Sequence, residues 1–174
     1  MTERRDPDGG TVRPVAALGF ATVTFVALLI FGLGMVSLAL SEDVIAAAGL
    51  GQVPGILATV LSTIAFAAGL WAAVRPHRPA DGSQQDAPRV QPSFWGAAWT
   101  TAATFLAYVA GVFLGAVTTG ADLAVAAAAA GRIATTWFGV VVAGAALVSA
   151  WGGIALVRTR ARRPRWPWED EFDE

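Results

Sequence analysis

Residues 133–157 read IATTWFGVVVAGAALVSAWGGIALV, and residues 158–165 read RTRARRPR. The first string carries no charge over 25 residues. A helix needs roughly 20 apolar residues to cross the hydrocarbon core of a bilayer, so this string is long enough to span it. The second string packs Arg158, Arg160, Arg162, Arg163 and Arg165 into eight positions. Arginines crowded at one end of a span are retained on the cytoplasmic side. Together the two strings predict a membrane-spanning last helix with a cytoplasmic C-terminus, and the direction of every earlier segment follows from it.

Working outward, the composition agrees. Of 174 residues 55% are hydrophobic and 14% charged, with a mean hydropathy of +0.57. A soluble domain carries about 25% charged residues, so the balance is that of a membrane protein. All 12 basic residues are Arg, and the net charge is −1, which gives no general attraction to nucleic acid. The absence of cysteine excludes disulfides, thiolate metal sites and cysteine nucleophiles. A single histidine, His77, excludes a multi-histidine metal site within one chain.

In chain order, residues 1–13 are polar and read as a flexible cytoplasmic N-terminus. The apolar run 14–40 begins at Pro14, which suits the first turn of a helix. At 27 residues it exceeds the apolar core of a signal peptide, about 7–15 residues, although Ser37 and Ala39 could imitate a cleavage site. In the loop 41–53, Ser41 is placed as an N-cap with Glu42 and Asp43 in a favourable first turn, and the short helix stops at Gly49. The second span is 54–74, with Trp71 near one end. Residues 75–92, RPHRPADGSQQDAPRVQP, read as a cytoplasmic linker. The third span lies within 93–119, with Phe94, Trp95 and Trp99 as an interfacial belt. In the loop 120–132, Asp122 caps a short alanine helix that stops at Gly131. The fourth span is 133–157, and 158–174 is a cytoplasmic tail.

Arginine placement tests this layout. Segments 1–13, 75–92 and 158–174 hold three, three and five arginines, whereas 41–53 and 120–132 hold none and one. The positive-inside rule then puts both termini in the cytoplasm. The fold class is all-α, a bundle of four transmembrane helices. It can be parsed as two tandem hairpins, 14–74 and 93–157. Thr24-Phe25-Val26-Ala27 matches Thr104-Phe105-Leu106-Ala107, and Ser41-Glu42-Asp43-Val44 parallels Gly120-Ala121-Asp122-Leu123. Leu70 to Arg75 likewise parallels Gly153 to Arg158. Chance matching between alanine-rich helices explains these identities equally well.

No span contains Asp, Glu, Lys, Arg or His. Ionisable groups at membrane depth mark ion paths and proton relays, so their absence argues against a proton-coupled transporter. The spans do hold hydroxyls, which either line a polar path or bond their own helix. Gly111 and Gly115 form a GxxxG, and Gly55, Thr59 and Thr63 form a small-residue strip on the second span. Both patterns allow close helix packing, within the chain or between copies and membrane partners. Glu42, Asp43 and Asp122 could hold a cation, although helix capping accounts for each more simply. In the tail, Trp166 and Trp168 join the five arginines as a membrane-interface segment. The acidic end EDEFDE, 169–174, either solubilises the tail or docks a cytoplasmic partner.

The absence of Lys, the Arg-free spans and the end RPRWPWEDEFDE resemble small four-span integral membrane proteins of actinobacteria, a group with no assigned activity. The resemblance rests on RPRWPWE and the overall layout, and it transfers no functional residues. The chain is therefore expected to be a cell-membrane protein of structural or accessory role, not an enzyme and without a cofactor. Its expected partners are the lipid bilayer, a second copy or another membrane protein, and a soluble protein at the tail. The rival expectation is a small transporter or channel subunit with a hydroxyl-lined path.

Overall fold

A computed structural model describes residues 14–45, 50–74 and 94–158. It contains five helices: α1 Pro14–Leu40, α2 Val53–Val74, α3 Phe94–Thr118, α4 Leu123–Thr135 and α5 Trp137–Arg158. All except α4 are long and apolar enough to cross a membrane. They are apolar on every side, as helices facing lipid on one side and one another on the other must be. The chain is a multi-pass membrane protein.

The core forms from rows at a spacing of four. In α1 the buried row is Ala17, Ala21, Phe25, Leu29 and Leu33; in α2 it is Pro54, Ala58, Ser62, Phe66 and Leu70. Rows of this spacing are the ridges that pack into grooves of a neighbouring helix. The most extensive contacts are α2 with α3 and α1 with α5, while α1 and α3 do not approach each other. Each hairpin's returning helix therefore packs on the other hairpin's first helix, as a twofold relation between hairpins requires.

The rows give that relation its phase. Ala21, Phe25, Leu29 and Leu33 of α1 correspond to Thr100, Thr104, Tyr108 and Val112 of α3, and all eight are buried. Pro54, Ala58, Ser62, Phe66 and Leu70 correspond in the same way to Phe138, Val142, Ala146, Ala150 and Ile154. This alignment pairs Phe25 with Thr104. The letter match of Thr24-Phe25 to Thr104-Phe105 is one residue out of phase. Burial follows a helix face, whereas alanine-rich strings match in several registers.

Several boundaries differ from those expected. Ser41 is not an N-cap. It closes α1 from a left-handed backbone conformation, φ 52°, with its N–H on the Leu38 carbonyl and the Glu42 N–H on the Ser37 carbonyl. Gly120 closes α3 in the same way at φ 84°, through Val117 and Ala116. These are paired Schellman terminations, which favour glycine at the left-handed position. Serine tolerates it here because its neighbours hold the turn: the Ser37 hydroxyl donates to the Glu42 carbonyl at 2.6 Å. Residues 41–45 are not helical, and 46–49 lie outside the described residues.

Asp122 is the N-cap of α4, its Oδ1 accepting the Ala124 N–H at 2.8 Å. Gly131 does not stop this helix. The stop comes five residues later at Thr136, whose backbone is extended and whose N–H and hydroxyl both return to the Arg132 carbonyl. The fourth span accordingly starts at Trp137 rather than at residue 133, because Ile133, Ala134 and Thr135 finish α4. The break falls at the adjacent threonines Thr135 and Thr136, whose hydroxyls bond back to the Gly131 and Arg132 carbonyls.

Candidate functional site

The closest approach in the bundle is the α2–α3 seam. A Cβ added at Gly111 would overlap the Cα of Ala58, and one at Gly115 would overlap the Cα of Pro54. The GxxxG pair thus lies against the α2 backbone of its own chain. At the other end of the seam the roles reverse, since Gly69 of α2 faces Thr100 of α3, whose Oγ1 would stand 3.1 Å from an added Cβ. Small residues alternate between the helices, so the two backbones stay close along the whole crossing. Gly55, Thr59 and Thr63 stand half-buried, one position around α2 from the row that meets α3. An added Cβ at Gly55 would be 3.6 Å from Ile45 of the preceding loop.

The centre of the bundle is filled by side chains. Phe25 and Phe66 stack with ring centroids 4.6 Å apart and planes within 9°. Leu29, Leu70, Tyr108, Phe138, Val142 and Ile154 are buried in the same cluster. The threonine hydroxyls are occupied locally. Thr59, Thr63, Thr100, Thr101 and Thr104 each donate to the carbonyl four residues back at 2.7–2.9 Å. Ser62 donates to the Thr59 carbonyl at 3.0 Å. Ser149 is buried, and its Oγ has no partner among the described residues.

The third feature is at the loop end, where α1 turns toward α2 and α4 meets α5. Arg132 Nη2 donates to Glu42 Oε2 at 2.6 Å and to the Asp43 carbonyl at 3.4 Å. This contact ties the two hairpins across 90 residues of sequence. The side chains of Arg132 and Glu42 are 29% and 54% exposed, and ion pairs this wet contribute at most about 1 kcal/mol. Among the described residues no three His, Cys, Asp or Glu side chains gather as a metal site. Glu42 is instead taken by Arg132, and Asp122 by its own helix.

The family model that matches this chain, a family of unknown function designated DUF6121, takes in residues 12–174. The chain belongs to DUF6121. No curated protein and no solved structure matches it. The DUF6121 match runs through both hairpins, the segment between them and the tail, so it covers the whole four-span layout.

The interface residues divide between described and undescribed parts of this DUF6121 chain. Phe94, Trp95 and Trp99 are exposed at the start of α3, Trp95 to 82%. Phe94 meets Trp151 of α5 edge to face at 6.2 Å. Arg158 ends α5. Arg160, Arg162, Arg163, Arg165, Trp166, Trp168 and the acidic end lie outside the described residues, as do 1–13 and the linker 75–92. The Arg132–Glu42 pair was missed from sequence, although its signal was present. Arg132 is the one arginine of the two loop segments, and the arginine count already placed it on the same side as Glu42.

Proposed function

We propose that this DUF6121 chain is a structural or accessory component of the cell membrane, with both termini in the cytoplasm. It acts by helix packing and by presenting its acidic tail to a soluble partner. The observation that carries the reading is the filled centre: the Phe25–Phe66 stack and the residues around it occupy the axis where a transport path would run. The reading is non-enzymatic. The rival, a hydroxyl-lined path, needs a hydrated axis; Thr59, Thr63, Thr101 and Thr104 give their protons to their own helices, and Thr104 is fully buried. Orientation is supported by the arginine asymmetry between the terminal and loop segments.

Two measurements test the proposal. Single cysteines at Ser83 and Gly51, labelled with a membrane-impermeant maleimide in intact cells and after lysis, should react from opposite sides, with Ser83 inside. Same-side labelling ends the four-span orientation. Deleting 169–174 should leave insertion and thermal stability unchanged while removing a cytoplasmic protein that co-purifies with the full chain. A destabilised bundle would mean that the acidic end packs on the protein. An unchanged set of co-purifying proteins would reduce the segment to a solubilising end.

A further inference from the structure

Toward the C-terminal end of α5, a groove of about 480 Å³ lies between that helix and the start of α3. It is lined by Phe94, Leu147, Val148, Trp151 and Gly152, none of them charged. Phe94 and Val148 are exposed, so the groove faces outward from the bundle. Nothing lies within 4 Å of a Cβ added at Gly152. Phe94 and Trp151 meet edge to face, with ring planes inclined by 67°. Two rings inclined this way form a corner against which a third ring packs by face or edge.

Lipid chains gain little in such a corner, because they leave one apolar surrounding for another. An indole is favoured both against aromatic rings and at the edge of the bilayer. This chain carries its own indoles within reach. Of the segments outside the described residues, 1–13, 46–49 and 75–93 contain no Phe, Tyr or Trp, and 159–174 contains Trp166, Trp168 and Phe172. Phe172 stands between Glu171 and Asp173, whereas Trp166-Pro167-Trp168 is uncharged. The tail continues α5, the helix that forms one wall of the groove. Leu147 to Gly152 precede Arg158 by six to eleven residues, about 9–17 Å along a helix. Trp166 follows Arg158 by eight residues, which extend to about 26 Å. Pro164 and Pro167 restrict the backbone on either side of Trp166, which lowers the entropy lost on docking. The family match runs to residue 174, so the tail belongs to the DUF6121 layout.

We propose that Trp166-Pro167-Trp168 folds back along α5 and seats an indole in the groove at Phe94 and Trp151. Docking fixes the start of the acidic end 169–174 at the α3–α5 corner of the bundle. Groove and tail share one end of α5, so the proposal holds whichever side of the membrane that end faces.

The chain has no cysteine, so paired cysteines report the contact directly. Gly152→Cys puts a thiol in the groove. Val23→Cys is the control: it is exposed on α1 two residues from Ala21, which lies against Gly153, and so stands at a similar depth on another helix. Each is combined with Arg165→Cys in the full chain and oxidised with copper phenanthroline in lipid vesicles. The linked peptide is quantified by mass spectrometry. The Gly152 pair should link within one chain about fivefold more than the Val23 pair, because docking raises the local concentration of the tail thiol. Adding Trp166→Ala and Trp168→Ala should return linking to the control level. Thermal melting in detergent keeps the comparison to folded protein. Equal linking in the two pairs, a link that survives loss of both indoles, or a link found only between chains would each overturn the proposal. The first result would leave the groove to lipid chains, and the last would seat the tail of a second copy in it.

Discussion

Gly111→Ala should lower the thermal stability of the detergent-solubilised bundle, and Gly144→Ala should not. The two glycines both lie inside long helices, so the intrinsic effect of alanine is the same at each, a gain of about 1 kcal/mol. Their surroundings differ. Nothing lies within 4 Å of a Cβ at Gly144, whereas a Cβ at Gly111 would run into the Ala58 backbone. No rotamer change relieves a clash with backbone, so α2 and α3 must move apart and lose contacts along the seam. Overpacking of this kind costs about 1–3 kcal/mol, which outweighs the propensity gain. Gly115→Ala should behave as Gly111→Ala does, through Pro54, and leucine at either position should cost more. Differential scanning fluorimetry on the five variants decides the matter. Equal melting temperatures for the Gly111, Gly115 and Gly144 variants would show that the seam is not closely packed.

The second large effect is expected at the centre. Phe66→Ala removes one ring of the buried stack and opens a void beside Leu29 and Leu70. In a soluble protein a buried phenylalanine truncated to alanine costs about 3–5 kcal/mol, the sum of a transfer term and a cavity term. Here a side chain released from the bundle enters lipid, which is as apolar as the core, so most of the transfer term disappears. What remains is lost packing, and the expected cost is about 2–3 kcal/mol. Leu106→Ala, at an exposed position on α3, is the control and should change stability little. An unfolding curve for Phe66→Ala that overlays the wild type would mean the centre is not filled as described. That result would also revive the hydroxyl-lined path.

The sequence by itself determined the number of spans, their places and the class of the fold. Lipid cannot hydrogen-bond a backbone or solvate a charge, so each crossing must be a long uncharged helix, and such strings are legible without any partner. Asp122 as a cap was legible for the same reason, since capping is a local exchange between one side chain and nearby N–H groups. Which face of each helix meets which neighbour was settled only by tertiary structure. Core and lipid are both apolar, so the row Pro54, Ala58, Ser62 looks no different in sequence from the strip Gly55, Thr59, Thr63 one residue away. The same uniformity hid the phase relating the hairpins, which appears in buried rows and in the paired turns at Ser41 and Gly120. The break comes at Thr136, whose N–H and hydroxyl both donate to the Arg132 carbonyl, against the local expectation that Gly131 would end the helix. Arg132 and Glu42 meet because α1 packs on α5. That contact is a property of the assembled bundle, since either loop alone carries only a charge in need of a partner.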